Sequence, residues 1–483
     1  MHDSMIPDSA ARTRVSAVPL VIDLDGTLIL SDLLWESIVL KLKHDLAGAW
    51  RLPLWLARGK AGFKESVAAG IELDPQALPY DPALLAFIEV ERARGRTIVL
   101  ATGAQRRLAE QVAGHLGLFD SVIATGDGIN LTSHNKAGHL ERVYGKGGYD
   151  YVGNSRADLP VWLGSRRAYS VTRTPFRLAD GRETRFLGTR RPGPAGALLK
   201  AMRPRQWLKN LLVFLPMLAG HRLDAATVAA SLLAFLAFSL CASSAYLLND
   251  ALDAQDDRVH PVKHRRPIAS GALPLGLALL ASPLLAAGAL LLCARFNPLL
   301  LAAVGIYFAT TVGYSLHLKR LLMVDIVTLA ILYTLRVLGG SAATGIAPSF
   351  WLLAFSFFIF LSLALLKRHS ELSNLHKAGK EKTRGRGYTT ADRAPVGIMG
   401  VNAAFIAVMV VMLYFNSANV LVLYKHPTWL LGILPLLVFW LGRLWTLSFR
   451  GQVNEDPVLY VSKDKTSLAV LALCAVFTVA ASW

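Results

Sequence analysis

Residues 249–257 read NDALDAQDD and directly follow a strongly apolar run, residues 225–248. If the apolar run is a helix, Asp250, Asp253 and Asp257 lie on one face at its end, with Asn249 beside them. Carboxylate and amide oxygens suit Mg²⁺, which takes one or two carboxylates and fills its shell with water and phosphate oxygens. A solvated helix end is the plain alternative, but acidic groups at the end of an apolar segment are usually functional. The stretch therefore predicts a magnesium and diphosphate site at a membrane surface.

The chain divides into two parts of different composition. It has 483 residues, of which 53% are hydrophobic, and a mean hydropathy of +0.42, with the apolar excess after about residue 205. From Trp207 onward, apolar segments of about 16 to 24 residues recur, the length range that crosses a bilayer. These segments predict an all-α polytopic membrane domain of nine transmembrane helices over residues 201–483. Their approximate bounds are 207–221, 225–248, 275–294, 297–314, 322–343, 349–366, 395–415, 427–447 and 466–482.

Lysine and arginine concentrate in every second loop between these segments, at 258–266, 319–320 and 367–386. Cytoplasmic loops carry such an excess. We therefore expect the N-terminus and the N-terminal domain in the cytoplasm, and the C-terminus outside a cytoplasmic (inner) membrane. The first fourteen residues lack the apolar core of a secretory signal peptide, which agrees. The net charge of +18 favours anionic membrane lipids and phosphorylated substrates over nucleic acid as partners.

Residues 1–170 alternate short apolar runs with charged helical stretches, as an α/β domain does. The apolar run at 18–22 leads into DLDGTL at 23–28, and the run at 97–101 leads into Thr102. Strand ends of this kind deliver side chains to the edge of a parallel sheet where ligands bind. Residues 29–95 are helical in pattern and predict a cap over that edge, whereas residues 171–200, with Pro192 and Gly193, predict a linker.

A third motif, GNSRAD, follows at 153–158. Together, DLDGT, Thr102-Gly103 and GNSRAD resemble the motifs of the haloacid dehalogenase (HAD) phosphatase superfamily. The resemblance implies a Rossmann-like fold in which Asp23 is the nucleophile and Asp25 the acid and base. It gives Thr102 a hydrogen bond to the phosphoryl group and Lys136 the neutralising cation, with Lys146 as a competitor. The implied Mg²⁺ ligands are Asp23, Asp25, Asn154 and Asp158. Asn154 stands where the family usually has an aspartate, which puts the hydrolytic activity and its substrate in doubt.

The pattern NDxxDxxxD, formed by Asn249, Asp250, Asp253 and Asp257, is similar to the first signature of the UbiA superfamily of intramembrane prenyltransferases. That resemblance covers about residues 198–483 and implies nine helices. The family's second acidic motif, DxxxD, is reduced here to Asp325, with Leu329 four residues on. One carboxylate of the standard pair is therefore missing.

A closer resemblance is to the decaprenyl-phosphate phosphoribosyltransferase (DPPR synthase) branch. It rests on RPRQWLKN at 203–210, DRVHP at 257–261, RPIASG at 266–271, KRHSE at 367–371 and RGYT at 386–389. The resemblance implies phosphoribosyl diphosphate (PRPP) as donor and a polyprenyl phosphate as acceptor. Because PRPP is strongly anionic, its site needs many cations, although each single cation also suits an ordinary cytoplasmic loop. The predicted substrate-binding residues are Arg203, Lys209, Asn210, Lys263, Arg265, Arg266, Tyr314, Lys319, Asp325, Arg336, Lys367, Arg368 and Glu371.

Arg336 lies inside a predicted span, where a charge is costly and normally functional, and we expect it to contact a phosphate or to pair with Asp325. Three classes of function compete. The first is a phosphoribosyl-lipid synthase whose tethered phosphatase removes the 5-phosphate of the product. The second is a prenyltransferase acting on a prenyl diphosphate and an aromatic acceptor, which the missing carboxylate disfavours. The third, a transporter or scaffold with an inactive HAD domain, leaves the acidic cluster unexplained.

Overall fold

The computed structural model describes residues 18–44, 51–57, 59–126, 131–189, 193–382, 386–453 and 456–483. The first fourteen residues, Pro192 of the predicted linker and Arg384 of a basic loop lie outside this part of the chain. The chain forms two compact units. The first comprises the chain up to Ala201 together with Leu248–Leu280, and the second comprises Met202–Leu247 and Ala281–Trp483. The NDALDAQDD segment therefore folds with the N-terminal domain.

A parallel sheet forms the centre of the first unit, with six strands in the described residues in the order β3-β2-β1-β4-β5-β6. In β1, Val21 pairs with Val99 on one side and Tyr151 on the other, and all three β1 residues are buried. Strands buried on both faces are continuously apolar, as LVI is. The carboxyl ends of β1, β2 and β4 therefore meet at one edge. The strands are Leu20–Ile22 (β1), Ile98–Gln105 (β2), Ser121–Thr125 (β3), Asp150–Gly153 (β4), Ala168–Ser170 (β5) and Arg185–Phe186 (β6).

In the described residues, four α-helices lie between β1 and β2, where the sequence predicts a helical cap. Their role as a cap over the sheet edge stays a prediction. The helices of the N-terminal domain are Leu33–His44 (α1), Arg51–Leu56 (α2), Gly59–Ala68 (α3), Pro82–Ala93 (α4), Arg106–Leu116 (α5), Ser133–Tyr144 (α6), Leu159–Gly164 (α7) and Pro194–Ala201 (α8).

The predicted linker, residues 171–200, is corrected by the structure because much of it is folded. Strand β6 pairs in parallel with β5, and the side chain of Leu178 is buried. The ring of Phe176 lies 5.0 Å from that of Trp162, and its backbone N–H donates to Thr184 Oγ1 at 2.9 Å. Two apolar side chains within a charged segment therefore attach it to the domain.

The rest of the chain is helical. Its helices are Leu215–Ala219 (α9), Ala225–Leu252 (α10), Ala254–Arg258 (α11), Leu275–Phe296 (α12), Pro298–Leu316 (α13), Val324–Thr344 (α14), Phe350–Lys377 (α15), Arg393–Phe415 (α16), Ala418–Leu423 (α17), Ile433–Phe449 (α18), Pro457–Val461 (α19) and Lys465–Ser482 (α20). Within the described residues, eight helices are long and apolar enough to cross a membrane: α10, α12, α13, α14, α15, α16, α18 and α20. The largest apolar core of the second unit lies between α14, α15, α16 and α18.

The first predicted span, 207–221, has a different structure. A 3₁₀ segment, Pro204–Phe214, leads into the five-residue helix α9, and Lys209 and Asn210 are buried within it. The described residues thus hold eight helices of membrane-spanning length and composition, one fewer than the nine predicted. The sides of the membrane on which the termini lie stay a prediction.

Candidate active sites

The first candidate site lies at the carboxyl edge of the sheet. Asp23 follows β1 directly and is 6% exposed, and Thr27 Oγ1 donates to its Oδ2 at 3.2 Å. Asp25 accepts from the backbone N–H of Leu33 at 2.8 Å and from Thr102 Oγ1 at 3.5 Å. The structure therefore brings Asp23, Asp25 and Thr102 together, as the strand ends predict.

Lys136 lies on α6 and reaches the same edge. Its Nζ donates to Asp23 Oδ1 at 2.7 Å and to the hydroxyl of Tyr151 at 3.0 Å. Tyr151 in turn donates to Asp158 Oδ1 at 2.8 Å. Lys146, the competing lysine, is exposed. Tyr151 was not predicted from the sequence, although its place on β4, two residues before the motif glycine, pointed to this edge.

The electrostatics of this site follow from burial. Burial raises the pKa of Asp23 to about 6, with Lys136 lowering it and Asp158 raising it further. Burial, with a smaller effect of Asp32, also raises the pKa of Asp25 well above its ordinary value. For Lys136, burial lowers the pKa, but Asp23 and Asp158 outweigh burial and raise it overall. The lysine is thus held as a cation between two carboxyl groups.

Asp158 and Asn154 complete the site. Asp158 Oδ2 accepts from the backbone N–H groups of Asn154 and Ser155, both at 3.0 Å. A Cβ built on Gly26, whose φ is +70°, would lie 2.1 Å from Asn154 Nδ2, so this side chain lies against the DLDGT turn. Carboxylate and amide oxygens from β1 and β4 form a donor set that fits Mg²⁺. In the described chain, no three His, Cys, Asp or Glu side chains form a metal-holding group by themselves.

A small cavity of about 50 Å³ opens beside Asp25. Its lining includes Asp32, Ser37 and Gln105, and also Lys64 from α3. Lys64 Nζ donates to the carbonyl of Gly103 at 2.6 Å. This lysine is a candidate contact for an anionic substrate, and it was not predictable from the sequence because lone lysines are frequent on helices.

The second candidate site is the NDALDAQDD segment, where α10 ends at Leu252 and α11 follows. Asp250 and Asp257 are buried, and both accept from the same atom, Arg266 Nη1, at 3.0 and 2.6 Å. Asp253 accepts instead from Asn249 Nδ2 at 3.0 Å. The four predicted residues thus form two groups. Asp250 and Asp257 converge on Arg266, whereas Asp253 pairs with the amide of Asn249.

This arrangement fits a divalent cation. Asp250 and Asp257 both lie within hydrogen-bond distance of one guanidinium nitrogen, and both offer the hard oxygen ligands that Mg²⁺ prefers. Burial raises the pKa of Asp257, while Arg266 and Lys263 act in the opposite direction. Lys263 Nζ lies 3.9 Å from Asp257 Oδ1, and Arg265 is exposed. Arg266 is thus the predicted cation in closest contact with the motif.

The predicted cations of the second unit lie in ion pairs. Lys209 Nζ donates to Asp456 Oδ2 at 2.6 Å, and Lys367 lies 3.5 Å from the same carboxylate. Arg368 is fully buried, donates to Asp325 Oδ2 at 2.5 Å and also pairs with Glu371. Asp456 was missed because it lies outside every recognised motif.

The remaining predicted substrate-binding residues of this unit either contact a tyrosine or are half-buried. Asp325 accepts from the hydroxyl of Tyr388 at 2.6 Å. The guanidinium of Arg203 lies 5.0 Å from the ring centre of Tyr246. Tyr314 and Lys319 are half-buried.

Arg336 does not pair with Asp325, which corrects one of the two expected partners. Its Nε donates to Asn210 Oδ1 at 2.8 Å and its Nη2 to the hydroxyl of Tyr307 at 2.9 Å. Both Arg336 and Asp325 lie on α14, and at about 1.5 Å per residue their backbones are roughly 16 Å apart. That distance prevents a direct contact. The phosphate contact of Arg336 stays a prediction.

More than half of the chain, residues 211–481, matches the model of the UbiA prenyltransferase family. The chain belongs to the UbiA prenyltransferase family. Residues 20–162 match haloacid dehalogenase-like hydrolases, so a HAD-like domain precedes the UbiA domain. These matches confirm the predicted architecture and the prediction that the protein is a multi-pass membrane enzyme with transferase activity.

Individual relatives of this UbiA protein cover different parts of it. It is 36% identical to protein y4nM of Sinorhizobium fredii over 95% of this chain and 90% of that protein. It is 39% identical to the decaprenyl-phosphate phosphoribosyltransferase of Mycolicibacterium smegmatis over 38% of this chain, a match that spans only 59% of that enzyme. A solved UbiA homologue from Archaeoglobus fulgidus, bound to DMAPP and Mg²⁺, superimposes with a TM-score of 0.46 and 17% identity, over 58% of this chain and 98% of that one.

Proposed function

We propose that the protein is a magnesium-dependent membrane transferase that moves 5-phosphoribosyl from PRPP to a polyprenyl phosphate and releases pyrophosphate. The observation that carries the proposal is the burial and pairing of Asp325, which is all that remains of the second acidic motif. Its carboxylate is fully buried and bonded to Arg368 and Tyr388. Asp250 and Asp257 also share an arginine, but the side chain of Arg266 is 26% exposed, whereas that of Arg368 is 1% exposed. The motif around Asp250 and Asp257 is therefore the more accessible one for a diphosphate. The similarity of part of the chain to a phosphoribosyltransferase supports the same donor.

Asp250 and Asp257 would hold Mg²⁺ in this proposal, with Asn249 and Asp253 beside them. When bound, the ion would stabilise the negative charge of the departing pyrophosphate. Arg266 and Lys263, which already contact the motif carboxylates, are placed to bind phosphate oxygens of the donor.

The transfer itself needs little acid or base chemistry from the protein. A phosphate oxygen of the polyprenyl phosphate is already anionic at neutral pH, so it attacks C1 of the ribose without a general base. A C1–O bond to the acceptor forms, and the C1–O bond to pyrophosphate breaks with its electron pair leaving on pyrophosphate. The protein's main task is to position two anionic substrates, which requires cations near both.

The HAD-like domain would remove the 5-phosphate of the product. Asp23 attacks phosphorus to form an aspartyl phosphate, Asp25 protonates the departing O5 atom, and water then releases phosphate. The contact of Lys136 with Asp23 supports this role, because a fixed cation offsets the charge of nucleophile and phosphate. A full-length Asp23→Asn variant should accumulate phosphorylated lipid, and unchanged phosphate release by that variant would contradict the assignment.

The donor is tested with membranes that contain the full-length protein. They are offered either PRPP labelled in the ribose together with polyprenyl phosphate, or a labelled prenyl diphosphate with an aromatic acceptor. Label should enter lipid from PRPP, and Asp250→Ala should abolish the transfer. Asp256→Ala is the matched control, because Asp256 belongs to the same segment but its side chain is 71% exposed. Label that enters product only from prenyl diphosphate would instead assign the protein as a UbiA-type prenyltransferase.

A further inference from the structure

We infer that Glu36, on helix α1 of the HAD-like domain, is a positioning residue of the transferase site and acts through Arg258. Arg258 Nη2 donates to Glu36 Oε1 at 2.6 Å, and Arg258 Nη1 donates to Glu36 Oε2 at 3.1 Å. The Glu36 side chain is 1% exposed and that of Arg258 is 6% exposed. The two residues are 222 positions apart in the chain but belong to the same compact unit. The inference rests on the proposed role of Asp250 and Asp257 in diphosphate binding.

Arg258 is held by more than the carboxylate of Glu36. Its Nη1 also donates to the carbonyl of Ala77 at 3.1 Å, and its Nε donates to the carbonyl of Ala269 at 3.3 Å. A guanidinium has five N–H donors in a rigid plane, so four contacts fix both its position and its orientation. Two-point pairing with a carboxylate adds to this geometric constraint.

The fixed guanidinium lies next to the metal motif in the chain. Arg258 is the last residue of α11 and directly follows Asp257, whose backbone N–H donates to Asp253 O at 2.8 Å. Ala269, which Arg258 also contacts, is three residues beyond Arg266. Arg258 therefore ties together the two segments that carry the Asp257–Arg266 contact of 2.6 Å. Displacement of Arg258 would displace the motif carboxylate, its cation, or both.

Glu36 is itself fixed before it meets Arg258. The hydroxyl of Ser31 donates to Glu36 Oε1, and the backbone N–H of Glu36 donates to Asp32 O at 3.0 Å. Helix α1 begins at Leu33, whose N–H donates to Asp25 Oδ1 at 2.8 Å. Glu36 is thus a pre-organised anchor, and residues of this kind around metal ligands commonly change metal affinity 10- to 100-fold when mutated.

Close packing accompanies the ion pair. A Cβ on Gly271, whose φ is +71°, would lie 2.3 Å from Leu30 Cβ, and a Cβ on Gly276 would lie 2.4 Å from the indole nitrogen of Trp35. Backbone and side chains therefore meet without space for an extra methyl group. Lys43 also reaches Asp256 at 2.6 Å, but their side chains are 32% and 71% exposed, so this pair contributes little.

The test measures equilibrium binding of pyrophosphate with Mg²⁺ to the full-length protein in detergent, by titration calorimetry. The fraction of binding that Asp250→Asn removes defines the acidic motif. For that fraction, Glu36→Gln should raise the dissociation constant about tenfold or more, because the isosteric amide keeps the shape but loses the charge. Lys43→Gln, on the same helix, should leave it unchanged. A tie that only stabilises the fold would lower the melting temperature without changing the affinity of the folded protein.

A double variant and a conservative variant complete the test. Glu36→Gln combined with Arg258→Gln should bind no more weakly than Arg258→Gln alone, because both changes break the same contact. Should Glu36→Gln fail to fold, Arg258→Lys keeps the charge without the two-point geometry and should weaken binding several-fold. Unchanged affinity in folded Glu36→Gln or Arg258→Lys, with binding lost in Asp250→Asn, overturns the inference alone. Full binding in Asp250→Asn overturns the proposed function together with it.

Discussion

Replacing Asp325 by asparagine distinguishes a role of this residue in stabilising the fold from a role in binding metal or substrate. The side chain is fully buried, with Arg368 Nη2 at 2.5 Å and the hydroxyl of Tyr388 at 2.6 Å. Asparagine keeps the shape but removes the negative charge. Loss of one partner of a buried ion pair costs about 3 to 5 kcal/mol, and we expect the lower end because Arg368 keeps Glu371 as a second partner.

The expected change in melting temperature follows from that free energy. For a unit of this size, 1 kcal/mol corresponds to roughly 2 to 4 °C, so Asp325→Asn should melt roughly 6 to 12 °C below the wild type. Tyr388→Phe removes two hydrogen bonds, one to Asp325 and one from the backbone N–H of Met323 at 2.9 Å. At about 1 kcal/mol each, their loss should lower the melting temperature by roughly 4 to 8 °C. Tryptophan fluorescence of the detergent-solubilised full-length protein measures both changes. Glu381→Gln changes an exposed carboxylate and serves as control.

The outcome that refutes this reasoning is a normal melting temperature combined with lost transfer activity. Asp325 would then bind metal or substrate, and the argument that the motif around Asp250 and Asp257 is the more accessible one for a diphosphate would fail. A large loss of stability in Asp325→Asn together with a smaller loss in Tyr388→Phe would support the ion pair as the main role.

Three further predictions concern other parts of the molecule. Burial raises the pKa of Asp150, but Arg166 and Arg96 outweigh burial and hold this pKa below its usual value. The Asp150 carboxylate therefore stabilises the fold above about pH 4. This contribution is lost as pH falls through the lower folded pKa. Asp150→Asn should therefore cost about 2 to 3 kcal/mol near neutral pH and flatten the acid-induced loss of stability in scanning calorimetry. Gly26→Ala forces a side chain into a left-handed conformation against Asn154, and should cost about 1 to 2 kcal/mol and weaken Mg²⁺ binding by the HAD-like domain, measured by calorimetry. Lys209→Met should cost about 2 kcal/mol by thermal melting, because Lys367 still offsets part of the charge of Asp456.

The architecture was predictable because its signals are local in the chain. Apolar length is enough to predict the regular membrane helices, and an apolar run that ends in DLDGT is enough to predict a strand with buried carboxylates at its end. The segment around Lys209 was harder, because hydropathy counts apolar residues and does not distinguish an α-helix from a 3₁₀ segment. Its proline residues, Pro204 and Pro216, and the polar residues Lys209 and Asn210 were the available signals.

The partners of charged residues were much less predictable. Asp325 was one of two partners expected for Arg336, whereas helix geometry separates them and polar neutral groups bind the guanidinium. The pairing of Glu36 with Arg258 was not predicted, since nothing in one sequence shows that residues 222 positions apart meet. Tyr151 has a position near the site edge that the sequence shows, but its contacts with Lys136 and Asp158 were not predicted. Each of these contacts depends on tertiary structure, which side-chain type does not reveal.

The ion pair between Lys209 and Asp456 also has a consequence for synthesis of the protein. The two residues are 247 positions apart. At about 5 to 20 residues per second, roughly 10 to 50 seconds pass between their emergence from the ribosome. During that interval the segment that holds Lys209 carries an ammonium group without the carboxylate that later neutralises it. The charge of Lys209 therefore stays without this partner until the end of the chain is synthesised. A chain truncated before Asp456 should be a substrate for membrane proteases.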